Sequence, residues 1–186
     1  NCLTEVMGLG LPGNGTIPGA DSRRLALAFL AGERVLEVLN RGLTARKMLT
    51  RDAFHNAFAV DMALGGSTNT VLHLPAIAYA AEVELPLSAI NEISDKVPHI
   101  CDLRPYGAYG LADLDSAGGV PAVMKEISKR LKPGAMTILG KTIGDIYKDA
   151  EVVDRRVIHP FDRPVHSTGG IAILSGNLAP EGAVVK

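Results

Sequence analysis

Residues 51–83 read RDAFHNAFAVDMALGGSTNTVLHLPAIAYAAEV, two helical patterns meeting at a double glycine. Thr50 is placed to cap the first, in which Phe54, Ala57, Phe58 and Asp61 recur at three- and four-residue intervals. Gly65 and Gly66 stop it sharply. Ser67 and Thr68 can cap the second, and its small and apolar residues on nearly every side predict burial on more than one face, making it the expected central helix.

Working outward toward the N-terminus, Asp21-Ser22 offers a cap for a helix carrying Leu25, Ala28, Leu36 and Leu39, preceded by the loop GLGLPGNGTIPGA at 8–20. On the other side, Ser88 begins a helix that runs to about Lys96 before Pro98, which removes a donor and biases Val97 toward an extended conformation. Short helices fit LADLDSAG and PAVMKEISKRL, the latter with Pro121 in its first turn and Gly134 beyond it. MTILG, 136–140, reads as a strand, and Thr142 as the cap of a turn ending at Tyr147 or Lys148. From Glu151 the character changes. VVDRRVIHPFDRP has prolines and alternation, then GGIAILSGN and GAVVK read as strands joined by a turn at Asn177 to Gly182. The expected class is α/β, with a boundary near 150.

Composition narrows the function. The 186 residues are 47% hydrophobic and 21% charged with a net charge of -1, which fits a globular chain and gives no basic surface for nucleic acid. The apolar run from Leu72 to Val83 is broken by His73, Pro75 and Glu82, so no membrane span is expected. No secretory leader pattern is present, and two cysteines so far apart make no disulfide framework, which points to a reducing, cytoplasmic setting. The sequence opens on Asn1-Cys2 without Met and stops at Lys186 inside an expected strand, as if cut at both ends.

Chemistry-bearing residues are few. Cys2 precedes the glycine-rich loop near a helix start, where amide dipoles favour a thiolate that ligates metal or reacts; the alternative is an inert, buried thiol. Cys101 forms an H-x-C pair with His99, which matches no zinc spacing. The glycine loop lacks the Gly-Lys-Ser/Thr end of a phosphate-binding loop. In GGSTNT, residues 65–70, hydroxyls and backbone N–H groups surround a helix start and could hold a ligand carboxylate or hydroxyl, although capping explains most of them. Histidines 55, 73, 99, 159 and 166 show no paired metal-site spacing, and His55 and His73 read as core residues. Asp61 is a candidate partner for a basic group, while Asp113 and Asp115 suit a helix start.

Five runs, taken together, resemble the dihydroxy-acid dehydratase family: NCLTEVMGLGLPGNGTIPG (1–19), FAVDMALGGSTNTVLHLPAIA (58–78), VPHICDLRP (97–105), DLDSAGGVPAVMKEI (113–127) and VIHPFDRPVHSTGGIAILSGNLAPEGAVVK (157–186). The resemblance implies a hydro-lyase that turns 2,3-dihydroxy-3-methyl acids into 2-keto acids in valine, isoleucine and leucine biosynthesis, with an iron-sulfur cluster and Mg2+ in the full-length parent, itself expected to be a homodimer. It implies that 1–150 completes an α/β N-terminal domain, and that 151–186 begins a β-barrel-like C-terminal domain whose unpaired edges favour mobility or aggregation. Cys2 matches the last of three cluster-ligating cysteines. The other two, an Asp-Lys pair, a metal-binding Glu and the serine base would lie outside these residues, so no catalytic residue is assigned. Ser67, Thr68 and Asn69 are the substrate-binding candidates, for a small dihydroxy acid. The chain alone is expected to be inactive and to hold no cofactor stably. Aldonate and 6-phosphogluconate dehydratases share the motifs in part and are the nearest alternative; a non-catalytic structural module is another.

Overall fold

The computed structural model describes residues 1–186. Nine α-helices precede a single antiparallel hairpin: α1 Cys2–Val6, α2 Arg23–Asn40, α3 Ala45–Met48, α4 Arg51–Leu64, α5 Thr68–Ala80, α6 Ser88–Ser94, α7 Leu111–Ser116, α8 Gly119–Glu126, α9 Ile143–Tyr147, then β1 Ala172–Gly176 and β2 Ala179–Val185. The class is α/β, a helical body with a two-stranded sheet, and no helix is long and apolar enough to cross a membrane.

The centre of the body is α4, not α5. Ten of the fourteen residues of α4 are buried, with Phe54 and Phe58 fully enclosed, and side chains of that kind each contribute about 1.5–3 kcal/mol through removal from water. α1, α6 and α8 pack around it. By contrast α5 buries only Leu74 and Ala78, four residues apart on one stripe, and leaves Tyr79 87% exposed. α2 buries nothing, and Leu25 and Phe29 stand 78% and 72% exposed.

Local signals account for the helix ends. Thr50 Oγ1 accepts from the Ala53 N–H at 3.3 Å, and Gly65 closes α4 in the left-handed conformation at φ 84°. A Cβ at Gly65 would fall 2.5 Å from the His99 ring, and one at Gly66 2.7 Å from Ile171, so the double glycine lets the α4–α5 turn lie flat against both. Thr142 and Asp145 form a capping box at α9. Asp21, rather than Ser22, serves the start of α2, accepting from the Arg23 N–H at 2.8 Å.

MTILG is not a strand. Met136 and Thr142 make one isolated bridge around a turn, in which the Thr137 N–H donates to Lys141 O at 3.0 Å and Ile138 N–H to Gly8 O at 2.8 Å. The hairpin is tighter than the expected Asn177–Gly182 turn. β2 starts at Ala179, and the register pairs Ala172 with Val185 and Leu174 with Ala183, with an irregularity before Gly176. Residues 151–171 form no strand; they lie along the body through isolated bridges, Cys101 to Ile158 and His99 to His166, and they insert Val157, Ile158 and Ile171 into the same core cluster as α4.

Candidate functional site

A cavity of about 610 Å³ opens between the start of α1, the α4–α5 turn, the 103–111 loop and the end of β2. It brings Cys2 together with Asp61, Ser67, Asn69 and Thr70, which lie far along the sequence from it. Thr68 is exposed and does not line it.

Cys2 is half-buried, and its thiol donates weakly to Gly15 O at 3.5 Å. The expected thiolate-favouring dipole does not prevail. Burial pushes the thiol up from its ordinary value, and the negative charges of Glu5 and Asp61 act in the same direction. α1 has only five residues, too short for a strong dipole.

The glycine loop has a structural organiser that sequence reading passed over. Glu5 is buried, and its carboxylate accepts from the N–H groups of Gly13 at 3.1 Å and Gly15 at 2.9 Å. Gly15 is pressed so close that a Cβ would lie 2.7 Å from Cys2 Cα. Glu5 thus folds the loop over Cys2. Thr16 Oγ1 then donates to Asp115 at 2.8 Å, and Arg23 reaches the other Asp115 oxygen at 2.8 Å, so Asp115 anchors the loop rather than a helix start. Asp113 does cap α7, accepting from Gly110 N–H at 2.7 Å.

Asp61 takes a hydroxyl, not a basic group. Thr70 Oγ1 donates to it at 2.6 Å, and burial pushes its carboxyl up to about 6, with that hydrogen bond and the charge of Lys186 pulling the other way. Ser67 Oγ caps α5 by accepting from Asn69 N–H at 3.3 Å. His73, expected in the core, is exposed on α5 at the cavity. His55 is half-buried, with Nε2 3.0 Å from Arg130 O. His99 is the buried histidine: Nε2 bonds Cys101 O at 2.8 Å, and burial holds its pKa below the usual value. Cys101 is enclosed, and burial raises its thiol pKa strongly. No group of three His, Cys, Asp or Glu side chains comes together to hold a metal, so the chain offers a metal one thiol at the cavity rather than a complete site.

This arrangement has relatives. The family described as "Dihydroxy-acid/6-phosphogluconate dehydratase N-terminal" matches residues 1–146, and its C-terminal counterpart matches 156–186. Proteins named dihydroxy-acid dehydratase are 57% identical in Caldanaerobacter subterraneus, 53% in Ignicoccus hospitalis and 52% in Carboxydothermus hydrogenoformans, each similarity covering 100% of this chain. The chain spans 34% of the length of those relatives. With both family regions matched in order, and their residues meeting at one cavity, the chain belongs to the dihydroxy-acid/6-phosphogluconate dehydratase family.

Proposed function

We propose that this chain is part of a longer cytoplasmic, homodimeric hydro-lyase that dehydrates 2,3-dihydroxy-3-methyl carboxylic acids to 2-keto acids in branched-chain amino-acid synthesis. The observation that carries the reading is the meeting of Cys2 with the Ser67–Thr70 turn at one cavity. Loss of water from such an acid requires departure of the C3 hydroxyl and removal of the C2 proton. An iron-sulfur cluster and a Mg2+ ion, when bound, supply Lewis acidity for the hydroxyl and for the carboxylate end.

This chain's own contributions are narrower. Cys2 is the thiol that would hold one iron, and the donor set fits that single role and no more. Ser67 and Asn69 present a hydroxyl and an amide to the cavity, suited to the substrate's own hydroxyls. Asp61, under the same turn, keeps Thr70 in place through its hydrogen bond. Residues 1–150 complete the first domain on this reading, and 151–186 begin the barrel-like second.

Anaerobic reconstitution with iron and sulfide tests the assignment. The chain alone is expected to gain no stoichiometric visible absorption and to show no dehydratase activity. The longer protein is expected to gain that absorption and to lose it on Cys2→Ser. A stable cluster on this chain, or an unchanged one in the Cys2→Ser protein, would refute the ligand assignment. A panel of 2,3-dihydroxy-3-methylbutanoate, an aldonate and 6-phosphogluconate separates the substrate classes within the family.

A further inference from the structure

Two long basic side chains line the cavity, Arg104 and Lys186. Arg104 turns back on its own loop, where Nε donates to Ala108 O at 3.2 Å. Lys186 reaches across from the end of β2, which packs beside α5, and its Nζ donates to Gly66 O at 2.6 Å. The Tyr106 ring lies 5.1 Å from the same ammonium and fixes its position from a second side. No side-chain carboxylate of residues 1–186 pairs with Lys186, whereas Arg23, Arg46, Arg155 and Arg156 each pair with an acid. Asp61, which feels the charge of Lys186, accepts from the Thr70 hydroxyl beneath Gly66. An ammonium has three donors, and one of them is used on Gly66.

We propose that Lys186 is the residue that recognises the anionic end of the substrate, binding its carboxylate through the donors left free beside the Ser67 turn. The proposal rests on reading the cavity as a dehydratase site. It assigns to Lys186 a reason for its position: held by a backbone carbonyl and a ring face, it arrives preoriented and with no acid of residues 1–186 paired to it, so a carboxylate gains a charge-assisted bond without displacing one of them. The Gly66 carbonyl that anchors it immediately precedes Ser67, which sets the anion-binding group next to the hydroxyl and amide proposed for the substrate's hydroxyls.

Calorimetric titration of the longer enzyme checks this without turnover. The probes are 2-hydroxy-3-methylbutanoate, which has no C3 hydroxyl to lose, and its carboxamide. Lys186→Met is expected to weaken the carboxylate about 10- to 100-fold and the carboxamide less than about twofold, while Lys186→Arg recovers most of the loss. Carboxylate binding within twofold of wild type in Lys186→Met, or an equal loss of both probes, would overturn the assignment. A loss seen only for a phosphorylated sugar acid, and not for its unphosphorylated form or for the hydroxy acid, would overturn it in favour of phosphate recognition. If the carboxylate-specific loss is found but no dihydroxy acid is dehydrated by the wild type, Lys186 stands as the anion site and the dehydratase reading falls.

Discussion

Asp61 sits 3% exposed beneath Gly66, and the cost of that position can be read in a pH titration. Its carboxyl titrates near 3.8 in an unfolded chain and at about 6 here. The folded state therefore binds the proton more tightly, and stability falls as pH rises from about 4 to about 6, by up to about 3 kcal/mol, then levels off. Buried His99 acts in the opposite sense, because its depressed pKa costs stability as pH falls below 6.5. Glu5, raised by burial, adds to the Asp61 trend. The clean measurement is thus a difference: urea unfolding of wild type and Asp61→Asn between pH 4 and 7. The variant is expected to gain on wild type with rising pH, and parallel curves would mean that Asp61 is ionised at little cost. Among the site residues, Cys2 and the Ser67 turn were legible as parts of long, distinctive strings. The partner of Asp61 was not, because helical spacing gives the face of a residue but not which group lies across from it. Glu5 was hidden for a different reason: its donors are backbone N–H groups of a loop, and backbone amides carry no sequence signature.

At the level of the elements, the helix starts were legible wherever one side chain decides them, at Thr50, Ser67 and Thr142. Depth was not. α5, apolar all round, looked more buried than α4, yet it is α4 that α1, α6 and α8 enclose. An apolar face records that a helix meets some surface, and it does not say whether that surface belongs to the same 186 residues. The same limit applies to α2, whose Leu25, Phe29, Leu36 and Leu39 follow a helical stripe and remain uncovered. The MTILG strand failed because the N–H groups of Thr137, Ile138 and Gly140 are drawn into a tight turn and onto Gly8 rather than into a ladder. A paired substitution separates apolar pattern from actual burial. Phe54→Ala in α4 is expected to cost about 3–5 kcal/mol, the usual value for an emptied aromatic core position. Phe29→Ala on α2 is expected to change stability by less than about 0.5 kcal/mol. Denaturant midpoints at constant m-value measure both, and comparable losses would show that α2 is packed in solution.

For the whole molecule the question is whether a boundary near 150 is also a boundary of stability. The family description changes between 146 and 156, and the sequence changes character there, yet the packing crosses that point without a break. Val157, Ile158 and Ile171 belong to the core cluster of α4. His159 N–H donates to Ile100 O at 2.8 Å, Asp102 N–H to Val157 O at 3.1 Å, and Ser94 Oγ to Ile171 O at 2.7 Å. The Asn91 side chain accepts from Ile173 N–H at 2.8 Å and donates to its carbonyl at 2.9 Å. Removing 151–186 would forfeit three buried aliphatic side chains at about 1.5–3 kcal/mol each. It would also strand the Asn91 amide, the Ser94 hydroxyl and backbone groups of His99 and Asp102, each of which costs about 1–3 kcal/mol if it stays dry. Those losses are comparable with the roughly 5–15 kcal/mol that holds a domain folded. A polypeptide of residues 1–150 is therefore expected to keep its helical far-ultraviolet signal, bind a hydrophobic dye and melt without a cooperative transition, whereas 1–186 melts sharply. A sharp transition for 1–150 at the same midpoint would show that the second region is a passenger on the first. The expected result would mean that residues 151–171, which lead into the hairpin that brings Lys186 to the cavity, also complete the core of α4, so that the two family regions fold together.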